Sequence, residues 1–187
     1  INFLLAPNTT FTFLEDVLTE VMALFPSEYI HVGGDEATKT NWKTCSHCQA
    51  RIKSENLENV EELQSYFIKR MERFISSNGR TLIGWDEILE GGLAPGATVM
   101  SWRGVKGGLE ASSEGHDVVM TPGSHCYFDH YQGDQDQEPL AWGGYLPLSK
   151  VYKFDPVVDG MTTEQEKHVL AIFILVSILF CFFKHYF

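Results

Sequence analysis

The 187-residue chain is short of cysteine, with four in all, and short of positive charge, with 14 Lys and Arg against 25 Asp and Glu. Four cysteines in a chain this long do not make a disulfide-stapled scaffold. A formal net charge of −11 argues against nucleic acid or an anionic membrane as the main partner. Cys45 and Cys48 form a C-x-x-C around His47, but no second C-x-x-C and no H-x-x-H completes a zinc site. The pair is read as local, either a small-loop disulfide or two thiols, and no metal is expected. No G-x-G-x-x-G follows any strand-like stretch, so a dinucleotide site is not indicated and no cofactor is expected. The chain opens at Ile1 with no initiator Met and no signal-like segment, so targeting is not legible. Long apolar runs are scarce too. The exception is "VLAIFILVSILFCFF", Val169 to Phe183, broken only by Ser177 and shorter than the roughly 18 residues of a spanning helix. Residues 169–187 are therefore set apart from 1–168 as an apolar tail, either a marginal membrane anchor or a foreign segment.

What the chain does have is alternation. Phe11, Leu14, Val17, Leu18, Val21, Met22 and Phe25 recur at helical spacing, with Thr9 or Thr10 as a candidate cap and Pro26 as the stop. A strand is expected at Tyr29 to Val32. A second amphipathic helix runs from Glu58 to Ser77, with Val60, Leu63, Phe67, Met71, Phe74 and Ile75 on one face and Gly79 closing it. "RTLIGWDE", "ATVMSWRG" and "HDVVMTP" read as further strands, with a weaker helix over Val105 to Glu114. From Ser124 to Tyr152 the sequence is aromatic, polar and loop-like. Helices and strands alternating over short connections predict parallel β/α units, although a doubly wound open sheet would show similar alternation.

Chemistry concentrates where the strands stop. "YIHVGGDEAT", Tyr29 to Thr38, is a short apolar strand followed by two glycines and two adjacent carboxylates, Asp35 and Glu36. Neighbours on a regular strand point to opposite faces. Gly33 and Gly34 permit backbone angles that bend the strand end and let both carboxylates lean over one cavity. An acid beside a base suits proton transfer. Two other strands end in Trp85, Asp86 and Glu87, and in Trp102 and Arg103. In parallel barrels the chemistry sits at these C-terminal strand ends. Spacing alone does not rank Asp86 and Glu87 below Asp35 and Glu36.

Taken together, "YIHVGGDEA", "LIGWDEIL", "GATVMSWRG" and "CYFDHYQ" resemble glycoside hydrolase family 20, the β-N-acetylhexosaminidases. The resemblance implies an α/β fold, a (β/α)8 TIM barrel of which about strands four to seven are present. It implies Glu36 as general acid/base and Asp35 as its partner in the catalytic pair. Trp85 and Trp102 match the walls of the N-acetyl pocket, and Tyr127 matches the tyrosine that hydrogen-bonds the acetamido oxygen. Asp129 matches a carboxylate holding sugar hydroxyls, and Trp142 an aromatic platform for the next sugar. Asp86 and Glu87 then become structural. The implied partner is a glycan ending in N-acetylhexosamine, in an extracytoplasmic compartment. "TTEQEKHVL" looks like the family's helix before its last strand, with Thr163 and Glu166 fitting a capping box. The chain departs from the family after Leu170, where Ala171 to Phe187 stand in place of a strand ending in Trp-Thr-Glu. The alternative to an exo-acting hexosaminidase is a glycan-binding remnant without turnover, or a truncated fragment without function.

Overall fold

In the computed structural model, which describes residues 7–172, the periodic apolar positions after residue 10 form helix α1 (Asn8–Leu24). Phe11 is its fully buried anchor, lying 5.4 Å from the Phe67 ring, with the Arg70 guanidinium 3.8 Å above its face. Pro7, not Thr9 or Thr10, occupies the N-cap, and no side chain caps the helix. Both threonines fall inside the first turn, since the helix already begins at Asn8. Chain contacts divide the protein into two units, Ile1–Val99 and Met100–Phe187.

In the first unit, β1 (Tyr29–His31) pairs in parallel with β2 (Thr81–Trp85), setting Ile30 beside Leu82 and His31 beside Ile83. Arg80 braces the approach to β1 by donating to the carbonyls of Pro26 (2.8 Å) and Ser27 (2.6 Å). The crossover carries α2 (Ser46–Ser54) and α3 (Val60–Ser77). α2 has no counterpart in the sequence reading. Its nine residues, SHCQARIKS, are mostly polar, and it is held through Cys48 and Ile52, which pack on Trp42, Val60 and Leu63. α3 starts where Asn59 accepts from the Glu62 N–H (2.9 Å) and ends at Asn78, with Gly79 at φ +70°. Its buried face includes Leu63, Ile68, Met71 and Ile75, together with the polar Gln64 and Ser65. After β2 a 3-10 turn, Asp86–Leu89, returns Ile88 into the core at 1% exposure.

β3 (Thr98–Ser101) carries the boundary between the units. In the second unit, α4 (Lys106–Ser113) precedes β4 (Val118–Met120), which pairs in parallel with β5 (Val169–Ile172) across one register shift. β5 takes up the first four residues of the expected apolar tail, and the rest of that tail lies outside the described residues. Between β4 and β5 come the short helices α5 (Gly123–Cys126), α6 (Leu148–Tyr152) and α7 (Thr163–Glu166). The capping box of α7 uses Thr162 and Gln165, one residue before the expected Thr163 and Glu166. "TTEQE" satisfies the pattern in either register, and the chain takes the earlier one. Among the described residues no helix is long and apolar enough to cross a membrane.

The feature that matters most for the site is the bend after β1. Gly33 and Gly34 lie at φ +74° and +102°, and a Cβ on Gly34 would sit 2.7 Å from Cγ2 of Ile88. Gly79 also has positive φ but faces open space. Gly79→Ala should therefore cost about 1 kcal/mol, the penalty of a left-handed Cβ alone. Gly34→Ala adds an overpacked contact and should cost about 3 kcal/mol. Urea denaturation of the two variants checks the difference, and equal losses would remove Ile88 from the account.

Candidate active site

The Gly-Gly bend is tied down on three sides. The Trp85 N–H donates to the Gly33 carbonyl (2.9 Å), extending the β1–β2 pairing by one more bond. The side-chain amide of Gln64, from α3, donates to the Gly34 carbonyl at 2.7 Å. The Gly33 N–H donates to Nδ1 of His31 (3.1 Å), which places the ring proton on Nε2. Beyond the bend Glu36 holds φ +47°, a left-handed value that costs a residue with a side chain about 1 kcal/mol or more. Such strain persists only where the surroundings over-determine the backbone, and here they do.

Asp35 and Glu36 emerge from this bend side by side, and both are exposed. Asp86 and Glu87, the pair that spacing could not rank, are instead 2% and 8% exposed within the 3-10 turn. Burial separates the two pairs. Lys39, just past Glu36, reaches Glu90 at 2.9 Å and fastens the following segment. The half-buried Trp85 stands edge-on to His31 with ring centroids 4.9 Å apart. Desolvation lowers the His31 pKa below the ordinary imidazole value, while the negative charge of Asp35 works in the opposite direction.

In the second unit Trp102, Tyr127, Asp129 and Trp142 line one cavity of about 320 Å³, together with Arg103 and His130. Trp102 follows β3 and is fixed through its own main chain. The Thr121 N–H donates to the Ser101 carbonyl (3.0 Å), and the Gly123 N–H donates to the Trp102 carbonyl (2.9 Å). Buried Ser101 adds a bond to the Gly104 carbonyl (2.7 Å) and accepts one from the Gly108 N–H (3.0 Å). The Trp102 and Tyr127 rings lie within 26° of parallel, their centroids 6.4 Å apart. Asp129 accepts from the Trp142 N–H through its carbonyl (2.8 Å), which ties the two residues together. Its Oδ1 is shielded from solvent and has no protein partner. Such an atom is costly unless something else bonds to it. Trp142 is 79% exposed, an open aromatic face at the cavity.

The structure thus places Asp35, Glu36 and Trp85 at the strand ends of the first unit, and Trp102, Tyr127, Asp129 and Trp142 around a single cavity of the second. Sequence reasoning missed His31, Gln64 and His130, and it noted Arg103 at a strand end without giving it a role. Gln64 was legible in principle, since it is a polar residue one turn from both Val60 and Ile68 on an otherwise apolar stripe. Among the described residues no cluster of His, Cys, Asp and Glu could hold a metal ion.

Comparison with known proteins gives this geometry a family. Residues 2–173 match the sequence model of the glycosyl hydrolase family 20 catalytic domain. A β-hexosaminidase of Porphyromonas gingivalis is 53% identical over 165 residues, which are 88% of this chain but 21% of that protein. One of Vibrio furnissii is 36% identical over 152 residues, 80% of this chain and 25% of its own length. The chain therefore spans about a fifth to a quarter of these relatives. Among solved structures, the family 20 exo-β-N-acetylglucosaminidase of Vibrio harveyi, in complex with N-acetylglucosamine, superposes with a TM-score of 0.82 at 28% identity. That match covers 92% of this chain and 28% of that one. Chitobiase of Flavobacterium johnsoniae gives 0.77 at 27% identity, over 92% of this chain and 25% of its own. The family 20 neighbours are TIM barrels, so the parallel β/α units described above are part of a (β/α)8 barrel and not of a doubly wound sheet. A family match over nearly the whole described length, with the Gly-Gly-Asp-Glu bend inside it, makes this chain a member of glycosyl hydrolase family 20.

Proposed function

We propose that the protein carrying this chain is a retaining exo-β-N-acetylhexosaminidase that removes terminal β-linked GlcNAc or GalNAc from glycans. The observation that carries the reading is the over-determined bend that presents Asp35 and Glu36 to solvent while the neighbouring Asp86 and Glu87 stay buried. The N-acetylglucosamine bound in the Vibrio harveyi structure supports the sugar class.

Most glycosidases flank the scissile bond with two separated carboxylates, one as acid and one as base or nucleophile. Family 20 is an established exception in which the substrate supplies the nucleophile. Adjacent carboxylates suit that exception. The 2-acetamido oxygen attacks the anomeric carbon as the glycosidic bond breaks, leaving a cyclic oxazolinium ion. Glu36 gives its proton to the departing oxygen, then takes one from the water that opens the ring, so configuration is retained. Asp35 orients the acetamido N–H and stabilises the positive charge that grows there. Trp85 and Trp102 offer apolar walls to the acetamido methyl, which favours the folded, attacking conformer. Tyr127 donates to the acetamido oxygen, and the unpartnered Oδ1 of Asp129 accepts from a sugar hydroxyl. The exposed face of Trp142 stacks on the following sugar.

Two substitutions test the division of labour, in protein expressed with the flanking sequence its gene encodes. Glu36→Gln should slow hydrolysis of β-GlcNAc glycosides with poor leaving groups by on the order of 10²–10⁴-fold. Glycosides whose leaving group needs no proton should lose far less. Steady-state rates on the two classes check this, and equal losses would take Glu36 out of the acid role.

Asp35→Asn should lower kcat by about 10²-fold or more and move KM little, because its interaction is strongest in the charged transition state. A thiazoline mimic of the cyclic intermediate should bind the unsubstituted enzyme tightly and this variant poorly. Equal inhibition of both would remove the substrate-assisted route. No turnover by the unsubstituted protein, with N-acetylglucosamine still bound, would favour a glycan-binding role.

A further inference from the structure

The C-x-x-C takes no part in the glycosidase reading, yet its two cysteines pack in one apolar cluster with unequal exposure. Cys45 is the residue immediately before α2, its N–H donating to the Asn41 carbonyl (3.0 Å) and its carbonyl accepting from the Gln49 N–H (2.9 Å). Cys48 lies one turn into the helix, with no exposed surface, in the apolar cluster of Trp42, Val60 and Leu63. Cys45 packs on the edge of the same cluster and is only half-buried. Both are free thiols. Cys45 occupies the N-cap position, and its side chain makes no cap hydrogen bond.

We propose that Cys45 and Cys48 form a thiol–disulfide exchange site, with Cys45 as the attacking sulfur, Cys48 as the resolving sulfur, and a small accessible disulfide as co-substrate. Cys45, as thiolate, attacks one sulfur of R–S–S–R. That S–S bond breaks, and RS⁻ leaves with the electron pair and takes a proton from water. Cys48 then loses its proton to solvent, attacks Sγ of Cys45 and expels the second RS⁻. Two protein thiols are oxidised to one disulfide, and R–S–S–R is reduced to two R–SH. The electrostatics agree with this order. The main-chain amide of Cys48 leads in lowering the Cys45 pKa, whereas burial pushes the Cys48 thiol up to about 11. A half-exposed thiolate attacker beside a buried partner is the arrangement that exchange requires. Cys126, 1% exposed and likewise raised to about 11 by burial, serves as an internal control.

The test uses the protein expressed with the flanking sequence its gene encodes, equilibrated without oxygen in buffers of reduced and oxidised glutathione. Samples are quenched in acid, alkylated, digested with trypsin and weighed. The peptide Thr44–Arg51 carries both sulfurs. It should pass from doubly alkylated to an unalkylated form two hydrogens lighter than the dithiol, reversibly, while Cys126 stays reduced. Cys48→Ser should stop at a glutathione adduct on Cys45. Cys45→Ser should leave Cys48 at least about 10-fold slower to react than Cys45 is in the parent chain, a contrast that denaturing urea should erase. Both thiols still alkylated in fully oxidised glutathione would overturn the proposal. So would a first adduct on Cys48, or a bond from either cysteine to Cys126 or Cys181. Should Cys48→Ser fail to fold, the parent chain and Cys45→Ser decide the matter.

Discussion

The hydrogen bond from the Trp85 N–H to the Gly33 carbonyl fixes where a strand ends and a site begins. Up to Val32, whose N–H bonds to Ile83, β1 follows the register of β2. At Gly33 the pairing makes its last contact, and the next carbonyl, that of Gly34, is claimed by Gln64 instead of a strand. A buried backbone carbonyl must find a donor, so moving the donor from the sheet to a helix side chain turns the chain out of the sheet plane. Ile88 locks the turn from the other side. The space that Cβ atoms on Gly34 and Gly84 would need is filled by its side chain, which the Asp86–Leu89 turn sends back inward. Two carboxylates are displayed by a bend that needs positive φ at Gly33 and Gly34 and leaves a Cβ on Gly34 no room beside Ile88.

The second unit achieves rigidity with less regular structure. From Tyr127 to Pro147 the chain has no helix, but the Tyr131 N–H bonds to the Gly144 carbonyl, and the Leu146 N–H bonds to the Tyr131 carbonyl. These contacts bring the two arms of the loop together, with Leu146 buried between them and Gly144 close against the His130 ring. The loop is thereby cinched into a cavity wall. A shielded carboxylate oxygen without a partner and a largely exposed tryptophan both raise the free energy of the unliganded protein. A polar ligand with an apolar face relieves both at once, and a sugar has that combination.

How much of this was legible depended on whether a residue's role follows from its own neighbourhood in sequence. α1, α3 and the first four strands announced themselves through apolar runs and periods, although of the α1 stripe only Phe11 is fully buried and Val17 and Phe25 are exposed. α2 did not, since SHCQARIKS carries only Cys48 and Ile52 on its inner side and owes its helicity to the Trp42 cluster it packs on. The Thr163 and Glu166 capping box was misplaced by one residue because the sequence permits both registers and only packing chooses. Asp35, Glu36 and the four cavity residues of the second unit were found through motif and resemblance. The elements that hold them were not, because Gln64 and Ile88 act on the Gly-Gly bend from other elements of the first unit. Local pattern shows what is displayed at a site more readily than what clamps it.

The segment joining the acid pair to α2 shows why the dithiol bears on the same site. Ala37, immediately after Glu36, and Cys45, at the helix start, both rest on the cluster built around Cys48 and Trp42. Lys39 fastens the stretch between them to Glu90, and the Trp42 carbonyl accepts from the Gln49 side chain at 2.9 Å. Glu36 holds a left-handed backbone that relaxes unless both sides of it are restrained. The Gly-Gly bend restrains one side, and the cluster under Ala37 restrains the other. The sulfur chemistry of Cys45 and Cys48 therefore takes place at the anchor of the segment that keeps Glu36 strained. A covalent link there would hold the anchor without adding a single contact to the carboxylates.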